Sequence, residues 1–197
     1  SRDGKNVVLL TKGNYDIDKL LAVDEANDWV YFNASPENAT QRYLYRVPMN
    51  NMAKLKNDQP ELVSNAGLKG THSYTISPNG KIALHQFSNY QTPEVSEWIG
   101  LPDHKAFITD KSIQKNITKD TSVHVDYFQI QTIDNITLDA WMRKPANFDP
   151  SKKYPLVVYV YGEPAATTID DTYGNHDNFL YNGDMSADGY IQVALDN

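Results

Sequence analysis

Five histidines, two adjacent aspartates and a tyrosine closing an apolar run are the residues of this 197-residue chain whose types could do chemistry. His72, His85, His104, His124 and His176 are scattered, with no H-E-x-x-H and no paired spacing, a pattern that reads as no metal site. His176 and Asp177 are neighbours, a spacing at which two side chains rarely face one another, so they read as helix-entry residues rather than an acid–base pair. Asp170 and Asp171 fall in a loop without apolar neighbours and are expected to be solvated, or paired with basic residues outside this sequence. Tyr161 ends the run Leu156-Val157-Val158-Tyr159-Val160-Tyr161, which sets a phenol at the end of a strand. Cysteine is absent, so disulfides, thiolate zinc sites and cysteine nucleophiles are all excluded. No cofactor is expected.

At about 150 residues per domain, the length allows one to one-and-a-third domains. The net charge is −7, from 18 basic and 25 acidic side chains, with no Lys/Arg-rich block. Nucleic acid and anionic membrane therefore have no electrostatic support as partners. No apolar run approaches the ~18 residues of a membrane span, and no membrane contact is expected from this segment. Charge is unevenly placed. Residues 1–122 carry 14 acidic and 14 basic side chains, whereas residues 123–197 carry 11 and 4. After Lys153 there is no Lys or Arg, yet Glu163, Asp170, Asp171, Asp177, Asp184, Asp188 and Asp196 follow. A boundary near residue 120 is expected, dividing the chain into 1–122 and 123–197.

Thirteen Tyr and 18 Asn suit strands joined by turns. Strands are expected at Val7–Leu10, Lys19–Asp24, Trp29–Asn33, Arg42–Pro48, Tyr74–Ile76, Lys81–Phe87 and Ala106–Thr109. Ser77-Pro78-Asn79-Gly80 is a strong β-turn signal. These make two units of 50–60 residues with around four strands each, the period of propeller blades. Trp29, Trp98 and Trp141 fit packing in such sheets. Ile113–Val123 reads as a polar connector. Beyond it, Val125–Thr132 and Ile136–Arg143 pair around Asp134-Asn135. Leu156–Tyr161 and Tyr190–Leu195 are apolar on both faces, as buried strands of an α/β sheet are. A short helix is expected around Asn178–Ala187, capped by Asp177. Four N-x-S/T triplets, at Asn33, Asn38, Asn116 and Asn135, exceed chance too slightly to argue glycosylation.

Three passages carry a family likeness: Asp28–Tyr31 with Tyr43–Val47, Gly70-Thr71-His72-Ser73 with Ser77–Lys81, and above all Lys144-Pro145 through Phe148-Asp149-Pro150-Ser151-Lys152-Lys153-Tyr154-Pro155 to Gly162. On these the whole chain resembles the prolyl oligopeptidase family of serine peptidases, most closely its dipeptidyl peptidase IV branch. The resemblance implies a mixed fold: the last all-β propeller blades, then the N-terminal part of an α/β-hydrolase domain, both incomplete. It implies a parent that releases N-terminal dipeptides with Pro or Ala second, through an acyl-enzyme. The parent would be a homodimer acting on peptides outside the cytoplasm.

That chemistry needs a Ser on a G-x-S-x-G elbow, followed by Asp and His. None of the eleven Ser lies in such a pattern; the nearest, Ser186 in Gly183–Gly189, lacks both flanking glycines. The family's triad lies downstream of these residues, and the glutamates that grip the substrate's amino terminus lie upstream. The segment alone is therefore expected to be inactive. One role carries over: Tyr161, in Val160-Tyr161-Gly162-Glu163-Pro164, matches the tyrosine that donates to the tetrahedral oxyanion, a bond worth roughly 2.7–4 kcal/mol. Glu163, Ala165 and Ala166 depart from the family's usual Gly-Gly-Pro-Gly-Ser form of this loop. The alternative is a non-catalytic β-rich interaction module or a dead truncated relative.

Overall fold

A computed structural model describes residues 3–5, 7–109, 124–163, 167–174, 176 and 180–196. The strands fall into three four-stranded sheets. The first runs in chain order: β1 (Ile17–Asp24), β2 (Trp29–Ala34), β3 (Tyr43–Pro48) and β4 (Glu61–Leu62). The second does likewise: β5 (Thr71–Ile76), β6 (Ile82–Asn89), β7 (Thr92–Gly100) and β8 (Lys105–Thr109). The third breaks chain order. It contains β9 (Val125–Gln131), β10 (Thr137–Arg143), β11 (Leu156–Val160) and β12 (Ile191–Leu195), arranged β11-β12-β10-β9. Two compact units result, Ser1–Phe87 with Val95–Lys111, and Ser88–Glu94 with Ser112–Asn197.

In the first unit, alternation along β2 and β3 sends successive side chains to opposite faces. Tyr31 and Leu44 join Val63, Tyr74, Ala83 and Ile99 in one core. Phe32, Ala34, Tyr43, Tyr45 and Val47 form another. Each large side chain so buried contributes about 1.5–3 kcal/mol. At one outer edge Arg46 bonds both Glu61 carboxylate oxygens at 2.9 Å and lies 4.0 Å over the Trp29 ring. The Ser77–Gly80 turn closes as expected, with the Gly80 N–H donating to the Ser77 carbonyl at 2.9 Å. Gly80 is at φ +66, and a Cβ there would lie 2.9 Å from Asp24 Oδ2, so both backbone and space require glycine.

Two strand expectations change. Val7–Leu10 forms no strand; Val7, Val8 and Leu9 are 88, 72 and 68% exposed, an apolar run with no partner ladder. Conversely, β7 had no counterpart in the sequence reading, because Pro93, Glu94, Ser96 and Glu97 dilute its apolar alternation.

In the second unit β9 and β10 form the expected hairpin, with Asn135 at φ 59 in its turn. β12 inserts between β10, to which it is antiparallel, and β11, to which it is parallel. A parallel pair needs a long crossover, here residues 161–190. β12 buries Gln192, Val193 and Ala194. Val125, Trp141, Ile169 and Ala194 make the core, with Tyr90, Tyr127 and Tyr159 packed on it. β11 corrects the expectation of burial on both faces: Val157 and Tyr159 are part-buried, while Leu156, Val158 and Val160 on the opposite face are 59, 50 and 48% exposed.

No α-helix occurs among the described residues. Of the expected helix, residues 177–179 lie outside them, and 180–187 form turns and bends. The cause is local. Gly183 sits at φ +155, and the chain turns only after it: Asp184 Oδ1 caps a single turn by accepting from the N–H groups of Ser186 (2.9 Å) and Ala187 (3.2 Å), with the Asp188 N–H donating to the Asp184 carbonyl at 2.9 Å. The expected connector Ile113–Val123 lies outside the described residues.

Candidate functional site

Parallel strands end at the same edge of a sheet, and ligand crevices in α/β sheets form outside that carboxyl edge. Val160 pairs with Leu195, so Tyr161 and Asp196 leave the β11–β12 pair side by side. Tyr161 is 46% exposed there. Gly162 follows at φ +77 with no heavy atom near its absent Cβ, so its backbone conformation, not crowding, calls for glycine. Asp196 is occupied as an anchor. Its Oδ1 accepts from the Thr168 N–H at 2.6 Å and hydroxyl at 2.9 Å, while its own N–H donates to the Asp139 carbonyl at 3.0 Å. The rim thus presents a phenol O–H on a fixed strand end, beside an aspartate whose carboxylate braces the loop. Such a donor can meet a developing oxyanion. Pro164, Ala165 and Ala166 lie outside the described residues.

Behind the third sheet, burial holds a polar cluster that the sequence did not announce. His176 is buried against Trp141, with ring centroids 5.1 Å apart and edge to face. Its Nε2 shares a 2.8 Å hydrogen bond with the Tyr127 hydroxyl. Burial, and then the Arg143 charge, draw the His176 pKa down to about 4. Burial, and then Asp171 and Asp170, push the Tyr127 phenol up. Asp171 is therefore not solvated as expected: it is buried and accepts the Tyr90 N–H at 2.9 Å. Arg143 reaches both carboxylate oxygens of Asp184 at 3.3 Å. Asp177 lies outside the described residues.

The first unit corrects the picture of scattered histidines. His72 on β5, His85 on β6 and His104 in the turn before β8 converge, with centroids 5.1 Å (His72–His85) and 4.6 Å (His85–His104) apart. The available signal was subtle. His72 and His85 occupy the same inward register as Tyr74 and Phe87 on their strands.

Residues 1–94 match the family described as the dipeptidyl peptidase IV N-terminal region. The chain is dipeptidyl peptidase IV-like. The first two sheets accordingly are antiparallel blades of that region's β-propeller. A "Probable dipeptidyl-aminopeptidase B" of Talaromyces marneffei is 30% identical, across 96% of this chain and 20% of the relative. One of Uncinocarpus reesii is 31% identical, across 98% and 21%. The crystal structure of Porphyromonas gingivalis dipeptidyl peptidase 4 shares the fold with a TM-score of 0.75 at 24% identity, across 95% of this chain and 25% of that one. The chain spans about a fifth of the length of the curated relatives it matches.

Proposed function

We propose that this dipeptidyl peptidase IV-like chain is part of a serine exopeptidase, and that the Tyr161 phenol donates a hydrogen bond to the oxyanion of the tetrahedral intermediate. The observation that carries the reading is the half-exposed phenol at the carboxyl edge of the parallel pair. Residues 123–197 then open an α/β-hydrolase domain. An antiparallel hairpin continued by a parallel pair, in the order β9-β10-β12-β11, suits that reading. The nucleophilic Ser with its Asp and His is supplied by residues outside these 197, consistent with the lack of a G-x-S-x-G sequence among them. The Ser attacks the scissile carbonyl, the oxygen takes up negative charge, and Tyr161 meets it. The substrate is a peptide whose N-terminal dipeptide carries Pro or Ala second, cleaved by a homodimer outside the cytoplasm.

In the full-length protein, Tyr161→Phe should lower kcat on a Gly-Pro anilide about 10²–10³-fold, with KM and the unfolding midpoint held. An unchanged kcat would assign Tyr161 to packing instead.

A further inference from the structure

A chain of hydrogen bonds crosses the second sheet. The Leu68 carbonyl lies 2.9 Å from His72 Nε2, His72 Nδ1 lies 2.9 Å from His85 Nε2, and His85 Nδ1 lies 2.9 Å from Glu97 Oε1. Both histidines are almost wholly buried. A carbonyl only accepts, so His72 must carry its proton on Nε2. A neutral imidazole carries its proton on one nitrogen alone. His72 Nδ1 is then a lone pair, and His85 must donate to it from Nε2. That leaves a lone pair on His85 Nδ1, aimed at a carboxylate oxygen that also only accepts. The chain is short of one positive charge at its end.

A third candidate ligand stands at that end. His104 sits at φ 52, a left-handed conformation in which His, like Asn and Asp, is enriched among residues other than Gly. This turn brings its ring edge-on to His85 and to Tyr74, whose hydroxyl lies 2.9 Å from His104 Nε2. His85, Glu97 and His104 each offer a ligand atom, and the three atoms lie within 4.8 Å of one another. Tetrahedral zinc, with bonds near 2.0–2.1 Å, wants its ligand atoms about 3.4 Å apart. Reaching that spacing takes shifts of under about 1 Å in each side chain, with His85 Nδ1 and Glu97 Oε1 opening slightly from 2.9 Å.

We propose that His85, through Nδ1, with Glu97 and His104 binds a divalent first-row transition metal of the zinc class, stapling β6, β7 and the turn before β8. Two imidazoles and a carboxylate are a donor set such ions take, with a fourth position left for water. The cation supplies the charge that the hydrogen-bond chain lacks. His72 is the positioning residue: by accepting from His85 Nε2 while donating to Leu68, it fixes the tautomer that turns the Nδ1 lone pair toward the ion. Glu97, with its side chain 16% exposed, gives the ion a way in.

The test is zinc uptake by the purified full-length protein after chelator treatment, measured by equilibrium dialysis and elemental analysis, with zinc chloride as the only added ligand. Wild type should retain one zinc more per chain than His104→Asn, which keeps a residue tolerant of the left-handed turn, and one more than Glu97→Gln. Cobalt substituted at the site should give tetrahedral visible absorption that both variants lose. Replacing the positioning residue, His72→Gln, should weaken uptake about 10–100-fold and leave the tetrahedral cobalt spectrum intact. Circular dichroism checks that each variant is folded, and if one is not, the other carries the comparison. Absence of zinc uptake by folded wild type overturns the proposal, as does uptake equal in wild type and a folded variant. In the first case a proton shared between His85 and Glu97 closes the chain.

Discussion

The first unit lines up two buried histidines with a part-buried glutamate, and the second buries one histidine against a phenol. His176 and Tyr127 balance their protons whichever way their bond runs. The hydroxyl can donate to Nε2, or turn to the Asp170 carbonyl at 3.3 Å while Nε2–H donates to it. The His72–His85–Glu97 line begins on a carbonyl and ends on a carboxylate, and an amphoteric neighbour, the Tyr74 hydroxyl, lies 3.4 Å from His72 Nδ1. The lesson is that a buried imidazole is inexpensive beside an amphoteric partner. Between two acceptors it becomes a demand for a cation or a further proton.

The sharpest way to break this contrast is to remove the middle of the line. His85→Ala should cost about 3 kcal/mol or more in chemical denaturation, because it opens a cavity and strips partners from His72 and Glu97 together. A cost below about 1 kcal/mol would mean that the line contributes little to holding the sheet together.

Acid tests the other side. His176 has a folded pKa near 4 and an unfolded value near 6.5, so between those values the unfolded chain binds more protons. Its contribution is complete above about pH 6.5 and is lost as pH falls toward about 4, a change on the order of 3 kcal/mol. The denaturation midpoint of wild type should therefore fall between pH 7 and pH 5 more steeply than that of His176→Gln. Parallel slopes would place the protonation elsewhere.

Tyr127→Phe should have the smallest effect, about 1–2 kcal/mol, since one hydrogen bond goes and the ring stays. A much larger loss would make the second unit as demanding as the first.

How far the sequence foretold this follows from range. β2 and β3 were plain in Trp29–Phe32 and Tyr43–Val47, and the Ser77–Gly80 turn in its own four residues, because the deciding forces act between near neighbours. Tyr161 was likewise visible at the end of its apolar run. β11's exposed face was not legible, since apolar residues on both sides say nothing of which face is left uncovered. The histidine line was hidden because residues 13 and 19 positions apart meet only through strand pairing and one left-handed turn. Asp171 looked solvated because its partner, the Tyr90 N–H, is 81 residues away.

The crossover also sets a timetable. In the first unit every strand finds its sheet neighbour next in the chain, so each can pair as soon as it is made. β10 cannot complete its pairing until β12 exists, and Ala140 waits for Leu195, 55 residues later. At a synthesis rate of about 5–20 residues per second that wait is roughly 3–11 s, during which one edge of β10 stands open on the ribosome. The second unit is thus the one whose nascent state most needs a chaperone.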